Sequence, residues 1–459
     1  MLDKVIMGSR VATEGWVSEA NIGIKGGSIV TISDPTISLE AKEIIDGKGK
    51  IVIPGVIDAH THVNTFNVWD VDVNRFKDIA ITAAYGGITT LLIHLWGPEG
   101  MSMPETINKM IEEGEKCSPI DFSFHCGVRP RDDHIRGIPD AIRIGVSSFK
   151  FLMAYRKSGF TGRTVDDYHM MRGMELIAAH GGISLVHAEN GLIIDYFEEK
   201  YTREGKVSLE YFLPSRPNAV ETEAIHRAAV IANLTQCPLY IVHMSAKEGL
   251  EEVIQERLRG NIIHAETCPQ YLCFTNKELV EGGSRFKVAP PLRTEADREA
   301  LWKGIQNGFI ETLGSDAGEY TLNQRKERDG EDIFKSLFGM PGAETMVSLI
   351  YSEGVAKGRI SLTQLVRLVS ENPAKIFGLY PRKGTIRVGS DADLVLIDPN
   401  IRWTIKANDL HSKSDYSCYE GMQLIGKPVL SLVRGEVLVK DGNLEQSPGY
   451  GRFIPRLKN

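Results

Sequence analysis

The feature that most constrains this chain is a beat of eight short apolar runs separated by helix-length amphipathic stretches. The runs are Gly55–His60, Ile88–Leu95, Asp121–Val128, Ser147–Ala154, Ile183–Glu189, Pro238–Ser245, Asn261–Cys268 and Ile310–Ala317. Between them, apolar residues recur at helical spacing in Asn74–Tyr85, Pro104–Cys117, Asp166–His180, Val220–Leu234 and Lys247–Leu258. A strand covered on both faces reads as a continuous apolar run, and a helical crossover makes successive strands parallel. Eight such units predict an α/β fold, a (β/α)8 TIM barrel whose site gathers at the C-terminal ends of the strands. A doubly wound open sheet shares this beat, but it ordinarily has a Gly-rich phosphate turn after its first strand, and none follows Gly55–His60.

The flanks differ in rhythm. Ala20–Lys25 and Ser28–Ile32 are short alternating runs, punctuated by Gly26-Gly27 and Asp46-Gly47, which is hairpin chemistry. Similar strands return only at Ala392–Asp398 and Val429–Val439. Both ends are therefore expected to build one small β-sandwich domain from residues 1–52 and 373–440. The barrel would occupy residues 53–372, and residues 441–459 would form a tail able to contact a second copy.

Polar residues at the ends of the runs form a set. The first run leads to His60 and His62, which point to the same side of an extended chain and can reach one ion. Lys150 lies in the fourth run, His187 ends the fifth, His243 the sixth and Asp316 the eighth. One such residue alone reads as a hydrogen-bonded core histidine or a helix-capping aspartate. Their coincidence on several strands points to a metal site. The other histidines, His94, His125, His134, His169, His180, His226, His264 and His411, are given structural roles, although His94, His125 and His264 also lie on runs.

Lys150 sits between Phe149 and Phe151, where an unpaired ammonium is costly. Two answers stay open at this level. The amine, its pKa lowered by burial, can take up CO2 as a carbamate that bridges two metals, or the ammonium can pair with Asp316 or Glu189.

Composition narrows the partner. With a formal charge of −7, 42% hydrophobic and 25% charged residues, the chain has no basic footprint for nucleic acid or an anionic membrane, so a small molecule is expected. No apolar run approaches the ~18 residues that span a bilayer. Six scattered cysteines without a Cys-X-X-Cys pair and no charged-then-apolar leader predict a reducing cytoplasm.

Over its whole length the chain resembles the hydantoinase and dihydropyrimidinase group of cyclic amidohydrolases. The motifs are Pro54-Gly-Val-Ile-Asp-Ala-His-Thr-His62, Ser148-Phe-Lys-Phe-Leu-Met-Ala-Tyr155, Leu185-Val-His-Ala-Glu-Asn-Gly191, Ile241-Val-His-Met-Ser245, Glu266-Thr-Cys-Pro-Gln-Tyr271, Val288-Ala-Pro-Pro-Leu-Arg293 and Gly389-Ser-Asp-Ala-Asp-Leu-Val395. The resemblance implies two zinc ions, one held by His60, His62 and Asp316 and the other by His187 and His243. Lys150, carbamylated to N6-carboxylysine, would bridge both ions. It implies that Tyr155 polarises the scissile carbonyl and that the family's tetrameric state makes this chain a homo-oligomer. Hydroxide made available by the metals would attack the amide carbon, with Asp316 passing a proton to the leaving nitrogen, giving an N-carbamoyl amino acid or a similar opened ring.

Departures from the family pattern concern the substrate. Ala317 follows the catalytic aspartate where the family has His, Leu337-Phe338-Gly339 stands in place of the family's Pro-Asn-Gly segment, and Ala289 replaces a Ser. Ala289 and Phe338 are the expected substrate contacts beside Tyr155, and Phe66, Trp69, Phe151 and Phe338 are expected to line an apolar exocyclic pocket. The stretch after His62 lacks the Arg of the His-X-His-X-X-Arg arrangement seen in dihydroorotases, which argues against a carboxylate-bearing ring. Allantoinase, cyclic imide hydrolase and decarboxylase activities on the same scaffold are the alternatives. A non-catalytic relative like the collapsin response mediator proteins is disfavoured, because all six ligand positions are filled.

Overall fold

The computed structural model describes residues 1–63, 73–98, 100–156, 162–329 and 332–456. The chain opens with β1 (Leu2–Ala12), β2 (Val17–Lys25), β3 (Ser28–Ser33), β4 (Ala41–Asp46) and β5 (Ile51–Pro54). The eight apolar runs follow as β6 (Val56–His62), β7 (Ile88–Leu95), β8 (Asp121–Gly127), β9 (Ser148–Leu152), β10 (Ile183–His187), β11 (Leu239–Ile241), β12 (Ile263–Thr267) and β13 (Thr312–Leu313). The final strands are β14 (Leu394–Thr404), β15 (Gln423–Val433), β16 (Glu436–Lys440) and β17 (Asn443–Leu444).

Strands β6 to β13 lie side by side in chain order as one eight-stranded sheet. It closes on itself where Thr61 bridges Ala317 in parallel and the Asp316 N–H donates to the His60 carbonyl at 2.9 Å. This is the expected (β/α)8 barrel. The helices between its strands match the sequence reading to within a few residues: Val73–Tyr85, Met103–Cys117, Asp167–Ala179, Asn218–Thr235 and Lys247–Leu258. Met103–Cys117 shows why: Ser102 and Glu105 form a capping box at its start, and Met103, Ile107, Met110 and Cys117 recur on the buried face.

Alternation along β9 sorts its side chains. Lys150 points into the barrel, whereas Phe149 and Phe151 point out to the helix layer and are fully buried there. A Cβ added at Gly173 of helix Asp167–Ala179 would come within 2.7 Å of the Phe151 ring, so a glycine is needed for this close approach. Phe151 is thus helix-packing core and not part of the exocyclic pocket expected for it.

The two ends of the chain build a second sheet of nine strands, ordered β17-β16-β15-β14-β5-β1-β2-β3 with β4 beside β1. Ile6, Val11, Ile22, Ile24, Val52, Leu394, Leu396 and Leu432 form its core. β5 pairs with β1 in parallel and with β14 antiparallel, then continues through Gly55 into β6. A buried ionic knot ties the two sheets together: Lys383 Nζ lies 2.7 Å from Asp121 of β8 and 2.5 Å from Asp393 just before β14, while Arg434 also binds Asp121.

The tail lies on its own barrel. Phe453 bridges Phe122, the Ile454 N–H donates to the Phe122 carbonyl at 2.8 Å, and the Arg456 guanidinium reaches the Ser148 hydroxyl at 2.6 Å. Ile454 and Arg456 are buried against this barrel end, whereas Tyr450 and Phe453 are only half-buried. Among the described residues no helix is long and apolar enough to cross a membrane.

Candidate metal centre and cavity

β6 delivers His60 and His62 to one side, as its pleat requires. Asp58, two residues earlier, accepts the His60 N–H at 3.1 Å, the Ser315 N–H at 2.9 Å and the Ser315 hydroxyl at 2.6 Å. That carboxylate fastens the start of the site to the segment after β13 and so places Asp316. A Cβ on Gly314 would lie 2.4 Å from the His60 Cβ, so this segment approaches β6 as closely as it does only with glycine there.

His60 Nε2, His62 Nε2 and Asp316 Oδ1 form a triangle with sides of 3.2, 3.1 and 3.3 Å. Donor atoms bound at about 2.0–2.1 Å in tetrahedral geometry stand about 3.3–3.4 Å apart, so the triangle fits a zinc-sized ion. His60 Nδ1 lies 2.7 Å from Glu266 Oε1, which fixes the ring and leaves Nε2 facing the triangle. The same Glu266 oxygen accepts the His243 N–H at 2.9 Å, and its other oxygen accepts the Tyr240 hydroxyl at 2.8 Å. One carboxylate therefore sets the position of residues on both sides of the centre.

On the other side, His187 Nδ1 and His243 Nε2 face each other at 2.9 Å. His187 Nε2 lies 2.8 Å from Glu189, which Arg216 binds at 2.7 Å. Against the desolvation that would raise it, Arg216 and His187 hold the Glu189 carboxyl down at about 2. Glu189 is thus taken and does not pair with Lys150. The Lys150 Nζ and His243 Nδ1 atoms are buried and have no hydrogen-bond partner among the described residues. Burial pushes the Lys150 amine down to about 7 despite the pull of Glu266 and Asp316. Burial, together with the Lys150 charge, also holds the His60 and His243 rings well below the ordinary imidazole value.

Three non-glycine residues of this region have left-handed backbones: Tyr155 at φ 73°, His243 at φ 41° and Asp316 at φ 47°. Each costs conformational energy of order 1–3 kcal/mol, and such strain clusters where side chains must be aimed.

An open cavity of about 880 Å³ covers the centre, lined by His60, His62, Lys150, His187, His243 and Asp316 together with Tyr155, Ala289 and Phe338. The sequence-predicted set is therefore brought to one place. Burial and then the Glu189 carboxylate push the Tyr155 phenol well above its usual range, so it faces the cavity as a neutral donor. Phe338 is part of the wall, but its ring is engaged: Lys287 Nζ stands 4.0 Å from its centre and the Arg216 guanidinium 5.4 Å, with Tyr155 edge-on at 5.8 Å. Phe66 and Trp69 lie outside the described residues.

Sequence reasoning gave no role to Asp58, Glu266 or Arg216, which hold the candidate ligand side chains directly or through Glu189. It gave His94 a structural role without excluding it. His94 is fully buried with its ring 4.1 Å from His60 and 5.1 Å from His62, and neither of its ring nitrogens has a hydrogen-bond partner among the described residues. His125 and His264 have ordinary partners, Ser148 with the Ala59 carbonyl for the first and Glu311 for the second. A second acidic group, Asp121, Asp391 and Asp393, is neutralised by Lys383.

The sequence profile of the amidohydrolase family matches residues 51–437, most of the chain. The chain belongs to the amidohydrolase family. Among curated relatives, this amidohydrolase is 37% identical to the D-hydantoinase of Ralstonia pickettii, over 100% of this chain and 99% of that one. It is 35% identical to the L-hydantoinase of Paenarthrobacter aurescens, over 99% and 98%. A solved D-hydantoinase structure superposes with a TM-score of 0.94 at 38% identity, covering 100% of this chain and 99% of that one. The chain is therefore a cyclic amidohydrolase of the hydantoinase group, acting by metal-dependent hydrolysis. Relatives named for opposite hands match almost equally, so similarity does not choose a stereochemistry.

Proposed function

We propose that the cavity opens a hydantoin, dihydropyrimidine or related ring to an N-carbamoyl amino acid. His60, His62 and Asp316 would hold one zinc ion, His187 and His243 would hold a second, and Lys150 would carry a CO2-derived carbamate as a further ligand. The observation that carries this reading is the buried Lys150 Nζ, left without a hydrogen-bond partner within electrostatic range of His60, His187 and His243. A bare ammonium is costly there, whereas a carbamate offers two anionic oxygens that two cations neutralise. Two zinc ions so held supply Lewis acidity and bring the pKa of water near neutrality.

The chain's own residues do the rest. The Tyr155 hydroxyl donates to the carbonyl oxygen as it becomes negative. Asp316 accepts a proton from the attacking water and returns it to the leaving nitrogen, which stays tethered through the ring. Glu266 and the Glu189–Arg216 pair keep the histidine rings aimed. The resemblance extends the proposal to a homo-oligomer, a tetramer, in a reducing cytoplasm. Leu192 and Tyr196, 61% and 58% exposed on helix Gly191–Arg203, supply apolar surface for such contacts.

The test combines elemental analysis of protein purified without chelator with a panel of hydantoins, dihydropyrimidines, allantoin and cyclic imides. The expected result is close to two divalent ions per chain and opening of a hydantoin or dihydropyrimidine. Full activity without metal overturns the proposal, and allantoin or an imide as the best substrate replaces its ring assignment.

A further inference from the structure

One buried cation stands outside the metal centre and its cavity. Arg456, in the tail, is buried against the barrel end. Among the described residues no carboxylate pairs with its guanidinium and its Nε has no hydrogen-bond partner, and burial pushes the group down to about 9. A cation buried without a counter-charge is costly, which makes what its N–H groups hold significant.

Those N–H groups begin a chain of hydrogen bonds whose direction is determined at each step. Arg456 donates to the Ser148 hydroxyl at 2.6 Å and to the Phe124 carbonyl. At the far end, His125 Nε2 lies 3.0 Å from the Ala59 carbonyl, which only accepts, so Nε2 carries the proton. Burial, followed by the Arg456 charge, holds the His125 ring well below the ordinary imidazole value, so the ring is neutral and its Nδ1 is an acceptor. Ser148 Oγ stands 2.5 Å from Nδ1 and therefore donates to it. The bonds run one way, from Arg456 through Ser148 and His125 to the Ala59 carbonyl, and each polarises the next.

The chain ends on the peptide that carries His60. In the pairing of β6 with β7, Asp58 stands opposite Leu91 and Thr61 opposite Ile93, so Ala59 and His60 together face the single residue Leu92, as in a bulge. The ladder loses its register there, and side chains hold the Ala59–His60 peptide: His125 binds its carbonyl, and Asp58 accepts its N–H at 3.1 Å. Ser148 also opens β9, two residues before Lys150. We propose that Arg456 is a positioning residue for the metal centre, holding the His60 peptide in place through Ser148 and His125. This rests on the two-ion reading above and adds to it a residue that touches neither metal nor substrate.

The experiment measures the zinc affinity of the full chain by chelator competition, with urea unfolding beside it. Arg456→Met is expected to weaken zinc binding about tenfold, the lower end of the 10- to 100-fold that partners of ligating residues contribute. Arg456→Lys, which keeps a charged donor, should recover part of that loss. Phe453→Ala is the control, since the Phe453 ring stacks on Phe124 at 5.7 Å and its removal loosens the same tail without touching the chain of hydrogen bonds. It should lower stability and leave zinc affinity at the parent value. Ser148→Ala should weaken zinc as Arg456→Met does, and the double variant should lose no more than the worse single one, because both interrupt one chain. Should Arg456→Met fail to fold, Arg456→Lys and Ser148→Ala decide. Parent affinity in Arg456→Met, an equal loss in Phe453→Ala, or additive losses in the double variant overturn this inference and leave the two-ion reading standing. A parent chain that takes up no divalent ion overturns both.

Discussion

Glu266 Oε1 stands 2.7 Å from His60 Nδ1, and the same oxygen accepts the His243 N–H at 2.9 Å. One carboxylate on β12 thereby orients a ligand of each proposed ion without itself facing the cavity. Glu266→Gln keeps the shape but weakens the polarisation of His60, and metal affinity is expected to fall about 10- to 100-fold. Competition against a chromophoric chelator measures this directly. An unchanged affinity would reduce Glu266 to a spacer.

The barrel was legible because each of its strands is covered on both faces and so reads as a continuous apolar run. Its trimmed ends were not. The run Ile310–Ala317 keeps only Thr312 and Leu313 in β13, since Gly314, Ser315 and Asp316 leave the regular ladder to reach Asp58 and His60. The proposed metal ligands were readable because most of them are short side chains at strand ends, where position along the chain nearly determines direction. Arg216 was not readable for the opposite reason. It is a long side chain outside the strands, and its aim is settled by the Glu189 carboxylate it meets in three dimensions. Phe151 failed as a pocket residue on simple parity, since it neighbours Lys150 and must face the other way.

Lys150→Ala should abolish ring opening and lower the metal content, because it removes the group proposed to lie between the two ions. Small carboxylic acids such as propionate, supplied with metal, are expected to restore part of the rate by placing an anionic oxygen pair in the vacated space. Wild-type rate and metal content in Lys150→Ala would make the lysine structural.

Tyr155 owes its aim to a left-handed backbone at φ 73°, and its phenol stays protonated in the cavity. Removing a donor to a developing oxyanion costs about 100- to 1000-fold in kcat. Tyr155→Phe is therefore expected to lose activity in kcat with KM little changed. A loss confined to KM would assign the hydroxyl to ground-state binding.

The last prediction concerns the knot between the two sheets. Lys383 is fully buried between Asp121 and Asp393, and Lys383→Met removes the cation while leaving both carboxylates in place. Breaking a buried pair in this way costs about 3–5 kcal/mol. The pH dependence should also shift. In the parent, desolvation would raise Asp121, but Lys383 and Arg434 hold it below the ordinary carboxylate value. Its contribution is then fully present above the unfolded pKa of about 3.9 and is lost as pH falls through the lower folded value. Asp393 is pushed up by burial even with Lys383 beside it. Without Lys383 it rises further, so the folded state binds the extra proton and gains stability as pH falls. Urea unfolding of parent and variant between pH 8 and pH 5 tests this as a difference, in which the metal site's own pH dependence cancels. The gap between the two proteins is expected to narrow toward pH 5, and a gap that widens would mean that the carboxylates are not what destabilises the variant.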